Sequence, residues 1–198
     1  MTDRHLNSND STRAAYRKRE PQLAKRSRKD FLLAFLYAPG AGGEEQQPIQ
    51  GITRFEKLVF LVLRDGRFPD LSSAFGFKPD SFGPFSDVLQ DELEALTDIG
   101  LIKKTPVNAA EMPADELNDA ESGEFLARPV PSVFGLTDLG ARIARGIWDV
   151  MGAAEREDIT HVKMEFNRIP LNRLLSHVYL TSSSEWTSKS LIRNKYLH

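Results

Sequence analysis

The stretch FGPFSDVLQDELEALTDIGLIKK, residues 82–104, predicts a helix that leads into a strand. Ser86 is a favoured N-cap residue and Gly100 a favoured residue just after a helix, so the two bound the element. Apolar side chains recur between them at three- and four-residue steps and predict its buried face: Leu89, Leu93, Leu96 and Ile99. We expect the chain to fold around this helix of about four turns.

The remaining faces of this helix are acidic. From Asp87 to Ile99 the chain carries five carboxylates and no Lys or Arg. Phosphate would repel such a helix, because binding to DNA depends largely on basic side chains that release counterions. Two interpretations stay open: a solvated face on a structural helix, or a docking surface for a basic protein partner. The candidate partner-binding residues are Asp87, Gln90, Asp91, Glu94 and Asp98.

Basic side chains dominate the N-terminal part of the chain. Between Arg13 and Lys29 there are eight basic residues and the single acid Glu20. We interpret residues 1–27 as a basic arm, either a solvated tail or a grip on phosphate backbone without much sequence specificity. The apolar cluster that begins at Phe31 then predicts a first helix, which ends before Pro39.

A second helix is predicted over RFEKLVFLVLRD, residues 54–65. Thr53 and Glu56 have the spacing of a capping box at its start. Apolar residues occupy one face at helical spacing, and we expect Arg54, Lys57 and Arg64 to stay in water. The outer face of this helix is therefore predicted to be basic.

A two-stranded wing is predicted after the acidic helix. LIKKTPV supplies one strand and residues 124–137 supply the other, with an acidic insertion at about 106–124 between them. Thr137 is the predicted N-cap of the next helix, whose Leu139, Ile143 and Ile147 we expect to face inward. Helices are then predicted over 154–167, 170–180 and 188–196. This extension either packs on the domain or pairs two chains, through Leu171, Leu174, Leu175, Val178, Tyr179 and Leu180.

The order of these motifs resembles winged-helix proteins, including regulators of the multiple-antibiotic-resistance type. In those proteins a helix ending in Leu-x-x-x-Gly-Leu-(Ile/Val) leads into the wing, and Leu-Thr-x-x-Gly caps the helix after it. The matching residues fall within about 28–150 and are Leu96, Gly100, Leu101, Ile102, Leu136, Thr137 and Gly140. The resemblance implies a winged helix-turn-helix fold and a role in DNA binding and transcription regulation.

A second, narrower resemblance is to uncharacterised proteins of the YwgA type and, more distantly, to the Panacea antitoxin domain. It is carried by KLVFL at Lys57–Leu61, by FGPFS at Phe82–Ser86, and by Val178 with Tyr179. This resemblance implies a protein that binds and neutralises a partner protein.

Composition excludes several kinds of chemistry. The chain of 198 residues has no Cys, which rules out disulfides, thiolate metal sites and Cys nucleophiles. Glu157, His161 and Glu165 share a helix face, but this spacing equally describes surface charge pairs, and we predict no metal site and no cofactor. With no nucleophile elbow in the sequence either, we predict a protein that is not an enzyme. No apolar span or signal segment is present, so we expect a cytoplasmic protein without a membrane partner.

These observations predict a mostly helical α+β fold: a winged helix at 28–151 with a two-stranded wing, after a basic arm at 1–27 and before a C-terminal helical extension at 152–198. The first functional hypothesis is a regulatory module that contacts nucleic acid through arm, second helix and wing. The alternative is an adaptor or antitoxin-like protein that docks a partner protein on the acidic helix. A homodimer through the C-terminal helices is compatible with both. The candidate nucleic-acid contacts are Arg17, Lys18, Arg19, Lys25, Arg26, Arg28, Lys29, Arg54, Lys57, Lys103 and Lys104.

Overall fold

The computed structural model describes residues 26–107, 132–187 and 189. Within these ranges the predicted mostly helical α+β class is confirmed. Most of the predicted acidic insertion, the arm up to Lys25 and the predicted last helix lie outside the described residues. The described helices are α1 (Arg28–Tyr37), α2 (Ile52–Asp65), α3 (Pro69–Phe75), α4 (Asp87–Asp98), α5 (Asp138–Asp149), α6 (Ala153–Phe166), α7 (Leu171–Thr181) and α8 (Ser184–Thr187).

Two small antiparallel sheets accompany the helices. The strands are β1 (Ile49–Gln50), β2 (Lys78–Asp80), β3 (Gly83–Phe85), β4 (Ile102–Pro106) and β5 (Ser132–Leu136). β5 lies between β1 and β4 in the larger sheet, and β2 pairs with β3 in the smaller one. The predicted pairing of the two wing strands is confirmed, with Ile102 opposite Leu136. β1 and the β2–β3 hairpin were not predicted, because two or three residues carry too little alternation.

α2 forms the centre of the core. Its residues from Arg54 to Leu63 are all buried, because α6 and α7 pack against it on one side and β1, α3 and β3 contact it elsewhere. Phe55 packs edge-on against Phe134 of β5. Aromatic rings from α1 and α3 extend the same core, with Phe31 against Phe68 and Phe75. The C-terminal extension therefore completes the core.

The packing of α7 shows which of the two predicted roles the C-terminal extension has, packing on the domain or pairing two chains. The apolar side chains that could have paired two chains lie inside the protein, since Leu171, Leu174, Leu175, Val178 and Tyr179 are buried and only Leu180 is exposed. The extension packs on the rest of the chain, and this apolar face is not available to a second copy.

The predicted capping box of α2 is wrong. The helix begins at Ile52 after Gly51, and no side chain caps it. Gly51 has φ +80°, a conformation that favours glycine, and it connects β1 directly to the helix. Glu56, the other half of the predicted box, is buried and accepts a hydrogen bond from Gln90. The tight β1–α2 connection leaves Thr53 inside the first turn.

Candidate functional site

The start of α4 is fixed by the residues before it. Ser86 is fully buried, accepts a hydrogen bond from the Leu89 N–H at 3.0 Å and donates to the carbonyl of Phe75. At the other end Gly100 has φ +74°, which lets the chain turn from the helix into β4. The predicted cap and stop are confirmed. Leu89, Leu93 and Leu96 are buried as predicted, whereas Ile99 is 59% exposed and its prediction is wrong.

An acidic ridge runs along the outer face of α4. We use this name for Asp87, Asp91, Glu94 and Asp98, which are all exposed and lie four, three and four residues apart, on one helix face. A hydrogen bond from Lys78 at 2.7 Å lowers the pKa of Asp87. Within the part of the chain that the structure describes, the other three carboxylates have no basic partner. The ridge is therefore an exposed negative surface that is mostly not neutralised.

Gln90 does not belong to this ridge. Its side-chain amide donates to Glu56 Oε1 at 2.8 Å, across the α2–α4 contact. Burial raises the pKa of Glu56, and the neighbouring Lys57 ammonium counteracts this effect. Gln90 is half-buried and contributes to the packing of α4 on α2, and its role in partner binding stays a prediction.

Glu92, the fifth acid of α4, is buried at the side of the helix. It accepts a hydrogen bond from Arg28 Nε at 2.6 Å and another from the Lys29 ammonium. Burial acts to raise the pKa of Glu92, but the hydrogen bonds from Lys29 and Arg28 outweigh it, and the pKa is lowered. The first turn of α1 is thereby tied to α4.

We use the name apolar patch for Ile99, Leu139 and Ile143, which are large, apolar and exposed and lie at the end of α4 and in the first half of α5. The Thr137 hydroxyl donates to the carbonyl of Gly100 at 2.7 Å, so α5 begins beside the end of α4. The predicted N-cap Thr137 is confirmed by its bond from the Gly140 N–H.

The predicted inward direction of Leu139 and Ile143 is wrong. The buried residues of α5 are Gly140 and Ala144, and this helix packs against α1 and β5. A Cβ on Gly140 would lie 1.9 Å from the carbonyl oxygen of Leu101. Small residues four apart were the sequence signal for this close approach, and they place the large apolar side chains outside.

The predicted basic face of α2 is also wrong. Arg54 is 5% exposed and Lys57 is 1% exposed, so neither side chain is available to a nucleic acid. Arg54 donates to the carbonyls of Phe166 and Ile169, and Lys57 donates to the carbonyl of Pro84 at 2.8 Å. Both cations lie inside because the C-terminal extension and the β2–β3 hairpin cover the helix. The apolar periodicity of the α2 sequence cannot reveal that distant segments cover this helix.

The described basic residues at the start of the chain pair with acids of the same chain. Arg26 contacts Glu155 at 2.7 Å, and Arg28 and Lys29 contact Glu92. Of the other candidate nucleic-acid contacts, Arg17, Lys18, Arg19 and Lys25 lie outside the described residues. Lys103 and Lys104 of β4 are exposed.

In the described ranges no three His, Asp or Glu side chains group as a metal site would require. His161 contacts Glu165 at 3.2 Å as an exposed pair on α6. None of the described helices has the length and apolar character needed to cross a bilayer. No family model, curated protein or solved structure matches the chain.

Proposed function

We propose that the protein is a non-enzymatic winged-helix adaptor, which binds a basic segment of a partner protein on the acidic ridge of α4 and the adjoining apolar patch. An antitoxin-like protein would be one form of such an adaptor. The observation that carries the proposal is the position of Asp91, Glu94 and Asp98, exposed and not paired with any described residue, next to exposed Ile99.

The order of elements supports the winged-helix part of the proposal. α1, β1, α2, α4 and the paired strands β4 and β5 occur in this order, with α3 and the β2–β3 hairpin inserted between α2 and α4, and β5 lies between β1 and β4. In winged-helix regulators, the helix before the wing enters the major groove of DNA and reads base edges. α4 holds that place in the chain, but its exposed face carries carboxylates, which phosphate repels.

The chemistry of the surface supports a protein partner. Carboxylates at the rim of an interface attract and orient a basic partner, while buried apolar contact supplies most of the affinity. The acidic ridge supplies the carboxylates, and the apolar patch supplies the apolar contact. The complementary ligand is an amphipathic helix with Lys or Arg on one face and Leu-like side chains beside them.

A synthetic peptide of this design tests the proposal directly. We expect the full chain to bind a labelled helical peptide with adjacent basic and leucine faces more tightly than a scrambled peptide of the same composition. The variant Asp91→Asn/Glu94→Gln/Asp98→Asn should weaken binding about tenfold or more, read by fluorescence anisotropy. The control Asp70→Asn/Glu157→Gln/Glu165→Gln removes the same charge from exposed sites on α3 and α6. Equal loss in both variants would reduce the effect to net charge and overturn the proposal.

Nucleic-acid contact remains a second proposal, with one observation in its favour. Lys103 and Lys104 are exposed on β4, and the chain also carries the basic residues of the arm. Binding to a labelled generic duplex across a salt series tests it. We expect a steep salt slope that falls when residues 1–25 are deleted or when Lys103→Gln/Lys104→Gln is introduced. No binding by the full chain at low salt would exclude this proposal.

A further inference from the structure

Helix α5 packs on the rest of the chain through small residues and leaves larger apolar ones outside. Its buried residues are Gly140 and Ala144. Leu139, Ile143 and Val150 are 46%, 40% and 73% exposed. A row of exposed apolar side chains on one helix marks a surface for association, because isolated ones need no explanation but contiguous ones do.

The exposed apolar residues of α5 have the spacing of a helix–helix contact. We use the name α5 seam for Leu139, Ile143, Gly146 and Val150, which stand four, three and four residues apart. Val150 ends the helix with helical backbone angles and so continues the face. Alternating steps of three and four residues keep all four on one side of the helix, as in the a and d positions of a coiled coil.

The α5 seam is complementary to itself when two copies run antiparallel. A twofold axis through the middle of the seam sets Leu139 against Val150 of a second copy, and Ile143 against Gly146 of that copy. Gly146 is exposed, and a Cβ built on it meets no atom within 4 Å, so the space above it is open. Each Ile143 side chain can fill this space on the other copy, as a knob fills a hole.

Charges beside the seam match in the same arrangement. Arg142 and Asp149 each stand one residue before a seam residue, flank the seam on the same side and are exposed. In an antiparallel pair these flanks face each other, which brings Arg142 near Asp149 of the second copy, and the twofold axis repeats the contact. Asp149 also contacts Arg145 at 3.8 Å within its own helix. A parallel pair would set Arg142 beside apolar Ile147, so charge favours the antiparallel orientation.

We propose that the α5 seam pairs two copies of this protein as an antiparallel homodimer. This surface is separate from α7, whose apolar face is buried in the core. A helix of 12 residues is about 18 Å long, so the contact is smaller than a standard interface and the dimer dissociates at about micromolar concentrations. The inference goes beyond the adaptor proposal and does not rest on it. Because the dimer covers Leu139 and Ile143, a second copy and a partner protein would compete for the apolar patch.

Analytical ultracentrifugation of the full chain tests the dimer without any peptide. We expect the average mass to rise from one chain towards two between about 1 and 300 µM. Ile143→Glu should weaken self-association about tenfold or more, because it places a carboxylate in the apolar contact. The matched control is Leu180→Glu, since Leu180 is an exposed apolar residue on α7, and it should change the dissociation constant less than about twofold. The mass of one chain at every concentration, or equal effects of the two variants, would overturn the proposal.

Single introduced cysteines read the orientation, because the chain has no Cys of its own. A disulfide requires Cα atoms within about 7 Å of each other. In the antiparallel dimer position 139 faces position 150 of the other copy, whereas the two positions 139 lie about 16 Å apart along the seam. We expect an oxidised mixture of Leu139→Cys and Val150→Cys chains to form the mixed disulfide, seen by intact mass spectrometry, and each variant alone to form little.

Leu139→Cys chains that cross-link with one another as readily as with Val150→Cys chains would overturn the antiparallel arrangement. Peptide binding enters neither experiment, so a failure of the dimer and a failure of the adaptor proposal are distinguishable.

Discussion

Arg28 Nε of α1 donates to Glu92 Oε1 of α4 at 2.6 Å, which ties the first described helix to the side of the acidic one. Glu92→Gln should lower the free energy of unfolding by about 1 kcal/mol, because the neutral amide replaces a charged acceptor shared with Lys29. Chemical denaturation measures this change. Glu94→Gln is the matched control, since Glu94 is an exposed acid two residues further on, and it should not destabilise the protein.

Low pH should weaken the contact of Glu92 with Arg28 and Lys29. The pKa of Glu92 is lowered in the folded protein below its ordinary value of 4.5. The folded carboxylate therefore binds its proton less readily than the unfolded one, and its contribution is complete above that value and is lost as the pH falls through the lowered pKa. Wild-type protein should lose more stability than Glu92→Gln when the pH falls below about 4.5. Parallel losses in the two proteins would contradict the assignment to Glu92.

Lys163 of α6 caps the C-terminal end of α1. Its ammonium is fully buried and donates to the carbonyls of Phe35, Leu36 and Ala38, at 3.0, 2.7 and 2.7 Å. Lys163→Met should destabilise the protein by about 3 kcal/mol, because three buried acceptors lose their donor. Lys103→Met is the control, since Lys103 is exposed on β4. Thermal and urea denaturation compare the two variants, and similar midpoints would refute the capping role.

The charge of Lys163 also gives a pH dependence with a definite sign. Burial lowers the pKa of the Lys163 ammonium from 10.5 to about 7. Between these values the unfolded chain holds a proton that the folded chain has released, so stability from this residue rises with pH across that window. We expect the rise in wild-type protein and its absence in Lys163→Met. A flat wild-type profile from neutral to alkaline pH would contradict the lowered pKa.

The acidic ridge should reduce the stability of the free protein. Its carboxylates stand at three- and four-residue spacing, where like charges repel by about a few tenths of a kcal/mol per pair, and Asp98 lies at the unfavourable end of the helix dipole. Asp98→Asn should therefore raise the melting temperature at low salt. Asp87→Asn should lower it, because Asp87 begins the helix and pairs with Lys78. Shifts of the same sign in both variants would contradict this account.

Two glycines of α5 should respond oppositely to alanine. Gly140→Ala should destabilise the protein by about 1–3 kcal/mol, because the new Cβ would meet the Leu101 carbonyl at 1.9 Å. Gly146→Ala meets no atom within 4 Å and should stabilise the protein by about 0.5–1 kcal/mol through helix propensity. Equilibrium unfolding of both variants, with the wild type as reference, checks this difference in sign.

Sequence prediction succeeded for the features that interactions between neighbouring residues determine. Ser86 and Thr137 cap helices through hydrogen bonds to N–H groups three residues ahead, so a short window was enough to identify them. The start of β4 was likewise marked by the Gly100 stop and by the apolar residues Leu101 and Ile102 that follow it. These parts of the fold follow from neighbouring residues.

Burial of charge could not be predicted in the same way. Arg54 and Lys57 look like solvated residues in their own helix, and they become buried only because segments 27 or more residues away cover them. The apolar patch was not predicted because apolar periodicity places Leu139 and Ile143 in the core, whereas α5 packs through its small residues Gly140 and Ala144. The ridge itself was predicted correctly as exposed for Asp87, Asp91, Glu94 and Asp98.

The cap on α1 joins residues that are far apart in the order of synthesis. Lys163 follows Phe35 by 128 residues, and Arg54 reaches carbonyls that follow it by 112 and 115 residues. A ribosome therefore releases α1 and α2 long before the groups that cap and cover them exist. Domains generally fold as units during synthesis. We therefore expect α1 and α2 to reach their final packing only after α6 and the residues that follow it have been synthesised.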